Sequence, residues 1–290
     1  MIRRGGAGAA IAALLAAMLC FQLGASTAKQ LFGQIGADGT TALRNLLGGL
    51  MLALVLRPWR RLPPRAAWPA LLVYGVALGT MNLLFYRALR TVPLGVAVAI
   101  EFVGPLGVAA ASIRRPAEAL WIALALAGLA CLLPWHEAAH GVDRAGALYA
   151  LGAGGLWAIY ILAGQRAGGA LGAHAVAWGT LVAALVCAPI GIASAGRTLL
   201  DPAVLGLGLL VALLSSALPY SLEMIALTAL PARAYGTLTS LDPALAALAG
   251  LALLGERLAG VQWLGILAIV AASIGTTRAL RPTPPIAGGA

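Results

Sequence analysis

The chain has 290 residues, of which 61% are apolar and 10% are charged, and its mean hydropathy is +0.95. Soluble domains are about 45–50% apolar and about 25% charged, so this composition excludes that class, and it excludes disorder for the same reason. Three cysteines cannot cross-link a chain of this length into a disulfide scaffold. Because a span needs about 20 residues, we expect a polytopic helical membrane protein without a separate soluble domain.

Glycine, proline and arginine clusters divide the chain into ten predicted transmembrane helices. In chain order they cover residues 8–31, 40–56, 68–89, 93–112, 117–134, 146–165, 174–194, 203–228, 232–254 and 259–278. The first follows a short basic N-terminus, as a secretory leader does, but its apolar run continues to about Leu31, which favours an uncleaved helix.

The net charge of +10 comes from 19 Lys+Arg against 9 Asp+Glu, in small groups between the apolar runs. Nucleic-acid binding needs these charges gathered in one patch, so no nucleic-acid partner is expected. With the N-terminus inside and ten spans, the cytoplasmic segments carry 12 of the 19 basic residues. The positive-inside rule therefore predicts a multi-pass protein of a bacterial inner membrane, with both termini in the cytoplasm.

An internal repeat supports the same helix count. Pro93 aligns with Pro231 at an offset of 138 residues. Further pairs at a similar offset are Pro105 with Pro243, Glu118 with Glu256, and Gly36 with Gly172. The repeat predicts two domains, residues 1–140 and 141–290. Each would hold five helices, and an odd number forces the two halves into opposite orientations, as in many secondary transporters.

Four ionisable side chains inside predicted spans are candidate functional residues, because charge at membrane depth is costly. Glu101 lies eight residues past Pro93, about 12 Å along a helix and near mid-membrane. Asp242 is similarly deep, whereas Glu223 lies nearer the cytoplasmic end and Lys29 nearer the outer end. A charged Glu101 could bind a substrate ammonium, and a neutral one could carry a proton.

The alternative is that these groups only hold helices together. The acids would then pair with Arg87, Lys29 or Arg233, and Lys29 itself could be a lysine that extends to the membrane interface. Polar and aromatic residues in the same helices are further candidates for a cavity lining: Asn82, Tyr86, Trp157, Tyr160 and Tyr220. Helical spacing puts Asn82 and Tyr86 on one stripe, but packing residues would share such a stripe too.

One catalytic motif is present. His136, Glu137 and His140 match H-E-x-x-H, in which two histidines on a helix bind zinc and the glutamate activates water. Here the motif lies in a short loop next to Pro134, and no third ligand follows at a useful spacing. A zinc intramembrane protease therefore remains only a remote alternative, and we expect no enzyme activity, metal or cofactor. A phosphate-binding G-x-x-x-x-G-K-[ST] loop is absent as well, so a secondary transporter fits better than an ATP-driven one.

Several long stretches resemble one family of transporters. They are GASTAKQLF from Gly24, TALRNLLG from Thr41, MNLLFYRALRTVPLGVAVAIEFVGPLGVA from Met81, GAGGLWAIYILAGQRAG from Gly152, and ALPYSLEMIALTALPARAYGTLTSLDPALAALAG from Ala217. With these stretches, the chain resembles the threonine/homoserine exporter subfamily of the drug/metabolite transporter superfamily, whose members carry two EamA repeats. The resemblance runs from about residue 10 to 280 and leaves out the loop with the H-E-x-x-H motif.

This resemblance implies an all-α membrane protein of ten helices, arranged as two inverted five-helix EamA repeats around a central cavity. Helices one, three, four, six, eight and nine would line it. Small amino acids such as threonine and homoserine would leave the cell through it in exchange for protons, with membrane lipid around the protein. Carried onto this chain, the candidate substrate-binding residues are Glu101, Lys29, Asn82, Tyr86, Trp157, Tyr160, Tyr220, Glu223 and Asp242.

We expect Glu101 to hold the substrate ammonium or the coupling proton. Lys29, a nearby arginine or a helix N-terminus would hold the substrate carboxylate. Export of another metabolite on the same scaffold remains open: aromatic amino acids, cysteine metabolites or cationic compounds.

Overall fold

The computed structural model describes residues 4–60, 62–113, 116–132, 143–255 and 257–279. Within these ranges the chain forms helices and turns, and no residue lies in a β-strand. In chain order the α-helices are α1 (Arg4–Ala28), α2 (Phe32–Leu56), α3 (Trp68–Ala88), α4 (Leu94–Glu101), α5 (Val103–Ala111), α6 (Pro116–Leu132), α7 (Arg144–Leu171), α8 (His174–Ala195), α9 (Pro202–Ala212), α10 (Leu218–Ala229), α11 (Ala232–Leu238), α12 (Leu241–Leu254) and α13 (Gly260–Ala279). The predicted all-α class is confirmed for this part of the chain.

Seven helical stretches in the described ranges are long and apolar enough to cross a membrane. The first, Gly8–Leu56, is 49 residues long and contains a kink at Gly36, where φ is +67°. Two shorter apolar helices are Ala119–Leu132 and Gly260–Gly275. Large apolar side chains are exposed along these helices, among them Val55 at 78% and Leu185 at 74%, as expected where lipid rather than water surrounds them. The chain is a multi-pass membrane protein.

Two of the predicted helices are broken at equivalent positions. Helix α4 ends at Glu101 and α5 begins at Val103, while α11 ends at Leu238 and α12 begins at Leu241. Each break is followed by a proline, Pro105 or Pro243. Since proline has no N–H, Pro105 cannot donate to the carbonyl of Glu101 four residues earlier. The freed carbonyl therefore lies beside the Glu101 side chain, inside the helix bundle.

A close helix crossing covers this freed carbonyl. A Cβ built on Gly154 of α7 would lie 2.3 Å from the Glu101 carbonyl oxygen, and one built on Gly104 would lie 1.8 Å from the Gly154 carbonyl oxygen. Only glycine lets two backbones approach this closely. The two glycines thus fix the position of Glu101 relative to α7.

The helices of the first half pack mainly on helices of the second half. The largest interfaces join α2 to α8, α3 to α7, α6 to α13, α3 to α8, and α1 to α10, and α4 also packs on α12. The repeat pairs α1 with α7 and α3 with α10, so the contact of α1 with α10 corresponds to the contact of α7 with α3. It also pairs α4 with α11 and α5 with α12, so the contact of α4 with α12 corresponds to the contact of α11 with α5. Side chains from both halves therefore meet at the centre of the molecule.

Candidate functional site

A cavity lies between the two halves, with an empty volume of about 540 Å³ including its opening. Such a volume falls within the usual range for small-molecule sites. The residues that line it are Phe21, Gln22, Ala25, Arg44, Met81, Asn82, Phe85, Val98, Glu101, Trp157, Tyr160, Tyr220, Glu223 and Asp242. They come from α1, α2, α3, α4, α7, α10 and α12, and they include one cation and three carboxyl groups.

Arg44 of α2 is the buried cation of this cavity and is only 4% exposed. Its Nη2 donates to the Ser215 carbonyl oxygen at 2.8 Å, to the Tyr220 hydroxyl at 2.7 Å and to Asn82 Oδ1 at 3.4 Å, and its Nε donates to Ser216 Oγ at 3.3 Å. The Tyr86 ring stacks on the guanidinium, with Cζ 4.8 Å from the ring centroid. These contacts hold the guanidinium in one orientation.

The acceptor at Ser215 arises from a local irregularity of the backbone. A π-helical turn, Leu213–Ala217, joins α9 to α10. In a regular α-helix the Ser215 carbonyl would accept from the N–H four residues later, but that residue is Pro219, which has none. Gly48 on α2 permits the close approach, since a Cβ there would lie 2.5 Å from Ser216 Cβ. The π-turn therefore supplies backbone and side-chain oxygens to Arg44, and such turns are frequent at functional sites.

Two charged groups of opposite sign line the cavity, Arg44 and Glu101. Among the described residues, the hydrogen bonds that fix Arg44 come from Nε and Nη2, and no donor reaches the Glu101 carboxylate. Glu101 is 6% exposed, and the charged groups acting on it electrostatically are Asp242 and Arg44. A guanidinium edge and a carboxylate are thus both available to a molecule in the cavity.

The other two carboxyl groups have protein partners. Gln22 Nε2 donates to Asp242 Oδ1 at 2.7 Å, which connects α1 to α12. Glu223 accepts from the Tyr160 hydroxyl at 2.7 Å and from the Tyr235 hydroxyl, which connects α10 to α7 and α11. The Tyr74 ring stacks on Tyr160 with centroids 4.9 Å apart. Glu223 therefore also serves to tie three helices together.

Aromatic side chains form the remaining walls. Phe102 packs edge-on against Trp157 with centroids 5.9 Å apart, and Phe21 packs against Tyr220 at 5.3 Å. Phe102 itself is fully buried at the break between α4 and α5. The cavity thus combines a few charged groups with apolar walls, as small-molecule sites do.

Seven of the nine residues predicted from the sequence line this cavity. They are Glu101, Asn82, Trp157, Tyr160, Tyr220, Glu223 and Asp242. The other two do not: Lys29 is half-buried in the 3₁₀ turn after α1, and Tyr86 lies behind Arg44. The alternative in which the acids pair with Arg87 is not seen, because Arg87 donates to both carboxylate oxygens of Asp38 at 2.7 and 2.9 Å.

The sequence analysis missed Arg44, and with it the contribution of the second helix. The signal was present, since Arg44 lies in the middle of the apolar run 40–56 and within the stretch TALRNLLG. The H-E-x-x-H motif at His136, Glu137 and His140 lies outside the described residues. Within those residues, no group of three or more His, Cys, Asp or Glu side chains is placed to hold a metal ion.

The fold and the cavity define a multi-pass membrane protein with a charged internal site, and comparison with known proteins gives its family. The model of the EamA-like transporter family matches residues 8–134 and 144–278. The chain belongs to the EamA-like transporter family.

Among similar proteins, the threonine/homoserine exporter RhtA of Salmonella typhimurium (strain SL1344) is 53% identical over 276 residues, covering 95% of this chain and 94% of that protein. RhtA of Escherichia coli (strain K12) is 54% identical over 271 residues, covering 93% and 92%. The uncharacterized transporter YwfM of Bacillus subtilis (strain 168) is 30% identical over 236 residues. A solved crystal structure with 22% identity and a TM-score of 0.69 covers 96% of this chain and 99% of its own, and this similarity shows the fold alone.

Proposed function

We propose that the protein is a secondary transporter that exports small amino acids of the threonine and homoserine type across a bacterial inner membrane. One observation carries the proposal: Arg44 and Glu101 line the same cavity, and no described residue donates a hydrogen bond to the Glu101 carboxylate. An amino acid is a zwitterion, and a site with a cation and an anion complements both of its charges. The similarity to exporters that are named for threonine and homoserine supports the same substrate class.

In this proposal Arg44 binds the substrate carboxylate, which guanidinium groups do well because they offer parallel N–H donors. Arg44 takes the role expected of Lys29, which does not line the cavity. Glu101 binds the substrate ammonium, and Asp242 adds negative charge nearby. Asn82 and Tyr220 hold the Arg44 guanidinium in place, and Glu223 holds the Tyr160 hydroxyl. Trp157 and Tyr160 shape the apolar walls around the substrate side chain.

Exchange for protons follows from competition at a single carboxylate. Glu101 would hold either the substrate ammonium or a proton, so loading one would release the other. Residues 1–140 and 141–290 would form the two inverted five-helix repeats, ten spans in all with both termini in the cytoplasm. Rocking of these halves would open the cavity to either side of the membrane in turn.

The substrate assignment is tested by exchange of labelled threonine across proteoliposomes. Arg44→Gln should lower exchange at least about tenfold, because one hydrogen bond to a charged group is worth about 1.5–3 kcal/mol. The matched control, Lys29→Gln, removes a cation outside the cavity and should keep exchange close to wild type. If the Lys29 variant loses exchange and the Arg44 variant retains it, Lys29 rather than Arg44 binds the substrate carboxylate. Competition by unlabelled aromatic amino acids or cationic compounds, rather than homoserine, would identify a different substrate class.

Proton coupling is tested with an imposed pH gradient. Wild-type proteoliposomes should accumulate threonine against its own gradient. Glu101→Gln should lose this accumulation, because glutamine cannot exchange a proton, while threonine counterflow at saturating substrate should persist at a reduced rate. Undiminished pH-driven accumulation in Glu101→Gln would rule out this residue as the coupling group.

A further inference from the structure

A second concave pocket lies at the end of α2, away from the transport cavity. It is lined by Leu54, Val55, Leu56, Arg57, Arg60 and His174, and we call these six residues the basic pocket. Leu54, Val55 and Leu56 form the end of α2, and Arg57 is the residue that follows it. Arg60 belongs to the short 3₁₀ helix Pro58–Arg60. His174 is the first residue of α8, which packs against this 3₁₀ helix. Because both α2 and α8 are membrane-spanning stretches, the pocket lies at a membrane surface.

The charge around the basic pocket has one sign. The chain contains no Asp or Glu between Asp38 and Glu101, or between Asp143 and Asp201, so neither segment that builds the pocket carries an acid. The two arginines are exposed, and no carboxyl group is among the residues that line the pocket in the described part of the chain. The anion that complements these charges therefore has to come from outside these segments.

Arg57 has a backbone conformation that L-residues avoid. Its φ is +48° and ψ is +56°, and it is the one non-glycine residue with positive φ in the described ranges. Glycine usually occupies such a left-handed helix end, as Gly255 does after α12 with φ +70° and ψ +18°. Membrane orientation alone needs a positive charge anywhere in the loop. An arginine at this strained position indicates that the location of its guanidinium matters.

The surroundings favour a lipid headgroup over a free anion. Leu54 and Val55 are 69% and 78% exposed on the side of α2 that leads into the pocket, and Trp59 is exposed beside it. Apolar residues exposed on the side toward the membrane interior, with a tryptophan at the level of the headgroups, are typical of a membrane interface. This surface would therefore complement a molecule that places an anionic group next to Arg57 and Arg60 and a hydrocarbon chain along α2.

We propose that the basic pocket binds the phosphate headgroup of an anionic phospholipid, with its acyl chains lying along Leu54 and Val55. Arginine binds phosphate with parallel N–H donors, and basic pockets at membrane surfaces attract anionic lipids. The proposal is independent of the transported substrate, because none of the six residues lines the transport cavity.

The test is native mass spectrometry of the full chain, released from mixed vesicles of phosphatidylglycerol and phosphatidylcholine. The wild-type protein should retain phosphatidylglycerol in preference to phosphatidylcholine. Arg57→Gly should lower this preference about fivefold, and the double variant with Arg60→Gln should lower it by a similar factor again. Glycine suits the positive φ at position 57, so this variant should fold at least as well as wild type, which a thermal unfolding midpoint checks.

Arg197→Gln is the matched control, since Arg197 is an exposed arginine at the other end of α8. It should keep the wild-type preference for phosphatidylglycerol. Equal retention of phosphatidylglycerol in the double variant and in wild type would overturn the proposal. Displacement of the retained lipid by millimolar inorganic phosphate would overturn the lipid assignment as well, because it would identify a site for free anions.

Discussion

Arg44 is a buried guanidinium whose loss of hydration is offset by hydrogen bonds to four different groups. Burial of a charge without such partners is costly enough that folded proteins avoid it. Nε and Nη2 donate to protein oxygens. A substrate carboxylate would accept hydrogen bonds from Nη1 and so take the place of water that Arg44 lost when the protein folded.

The Tyr220 hydroxyl is the side-chain group closest to Arg44 and gives a direct prediction. Tyr220→Phe removes an acceptor 2.7 Å from Nη2 and a partner of Asn82, but it keeps the ring that packs on Phe21. We expect the KM for threonine to rise about tenfold with a smaller change in kcat, since the loosened guanidinium binds the carboxylate less well. Initial rates of counterflow in proteoliposomes measure both.

Tyr149→Phe is the control for this experiment, because Tyr149 lies on α7 near Arg87 and away from the cavity lining. It should leave KM unchanged. An unchanged KM in Tyr220→Phe would mean that the hydroxyl does not help to position Arg44.

The three carboxyl groups of the cavity differ in their hydrogen-bond partners, and we assign them different roles for this reason. Glu223 accepts from two tyrosines, and Asp242 accepts from Gln22. Glu101 has no hydrogen-bond donor among the described residues. The sequence could place all three acids at membrane depth from spacing alone. It could not predict which of them have protein partners, because the Gln22 partner of Asp242, for example, lies 220 residues away in the chain.

At the level of helices, prolines create the irregular backbone on which the site is built. Pro105 and Pro243 follow the breaks in the fourth and ninth predicted spans, and Pro219 frees the carbonyl that Arg44 uses. Each of the first two prolines removes the donor that would bond the carbonyl four residues earlier, which belongs to Glu101 and to Thr239. The exact course of the π-turn at Leu213–Ala217 depends on its packing against Gly24 and Gly48, which no local pattern reveals.

The crossing of α4 and α5 with α7 predicts a strong effect of a single methyl group. Gly154→Ala places a Cβ 2.3 Å from the Glu101 carbonyl oxygen, so the helices must separate. We expect a loss of about 1–3 kcal/mol in stability, together with reduced transport, because Glu101 moves with α4. The thermal unfolding midpoint in detergent and threonine counterflow measure the two effects.

Gly155→Ala is the neighbouring control, since a Cβ at that position meets nothing within 4 Å. Alanine favours a helix over glycine, so this variant should be as stable as wild type or slightly more stable. Equal stability of the Gly154 and Gly155 variants would contradict the close crossing.

The start of α7 gives a prediction that depends on pH. Asp143 caps this helix by accepting from the Gly146 N–H at 2.9 Å, and it also accepts at 2.8 Å from Oγ1 of Thr91, which lies in the turn between α3 and α4. These hydrogen bonds favour the ionised form, so the pKa of Asp143 is lowered from its ordinary value, the Thr91 bond having the largest effect. A lowered folded-state pKa stabilises the fold above the unfolded value of about 3.9, and this stabilisation is lost as pH falls through the folded pKa.

Asp143→Ala should therefore lower the unfolding midpoint at neutral pH, and its difference from wild type should shrink as the pH falls below about 4. Thermal unfolding in detergent between neutral and acidic pH measures this difference. A gap that stays constant over this range would mean that ionisation of Asp143 does not contribute to stability.

At the scale of the whole molecule, both halves contribute residues to the largest hydrophobic cluster and to the cavity that contains Arg44 and Glu101. Helices of each half pack chiefly on helices of the other, and the cavity takes Arg44 and Glu101 from the first half and Glu223 and Asp242 from the second. The weak internal repeat allowed the two-half architecture to be predicted. The meeting of Arg44 with α10 could not be predicted, because it depends on how α2 packs between α8 and the π-turn.

The central claim is that one cavity recognises both charges of a small amino acid, with Arg44 on the carboxylate. The most direct measurement is inhibition of labelled threonine counterflow by threonine and by threoninamide, in wild type and in Arg44→Gln. Wild type should prefer threonine by at least about tenfold, since the amide lacks the negative charge. The preference should disappear in Arg44→Gln. An equal preference for threonine in both proteins would contradict the account.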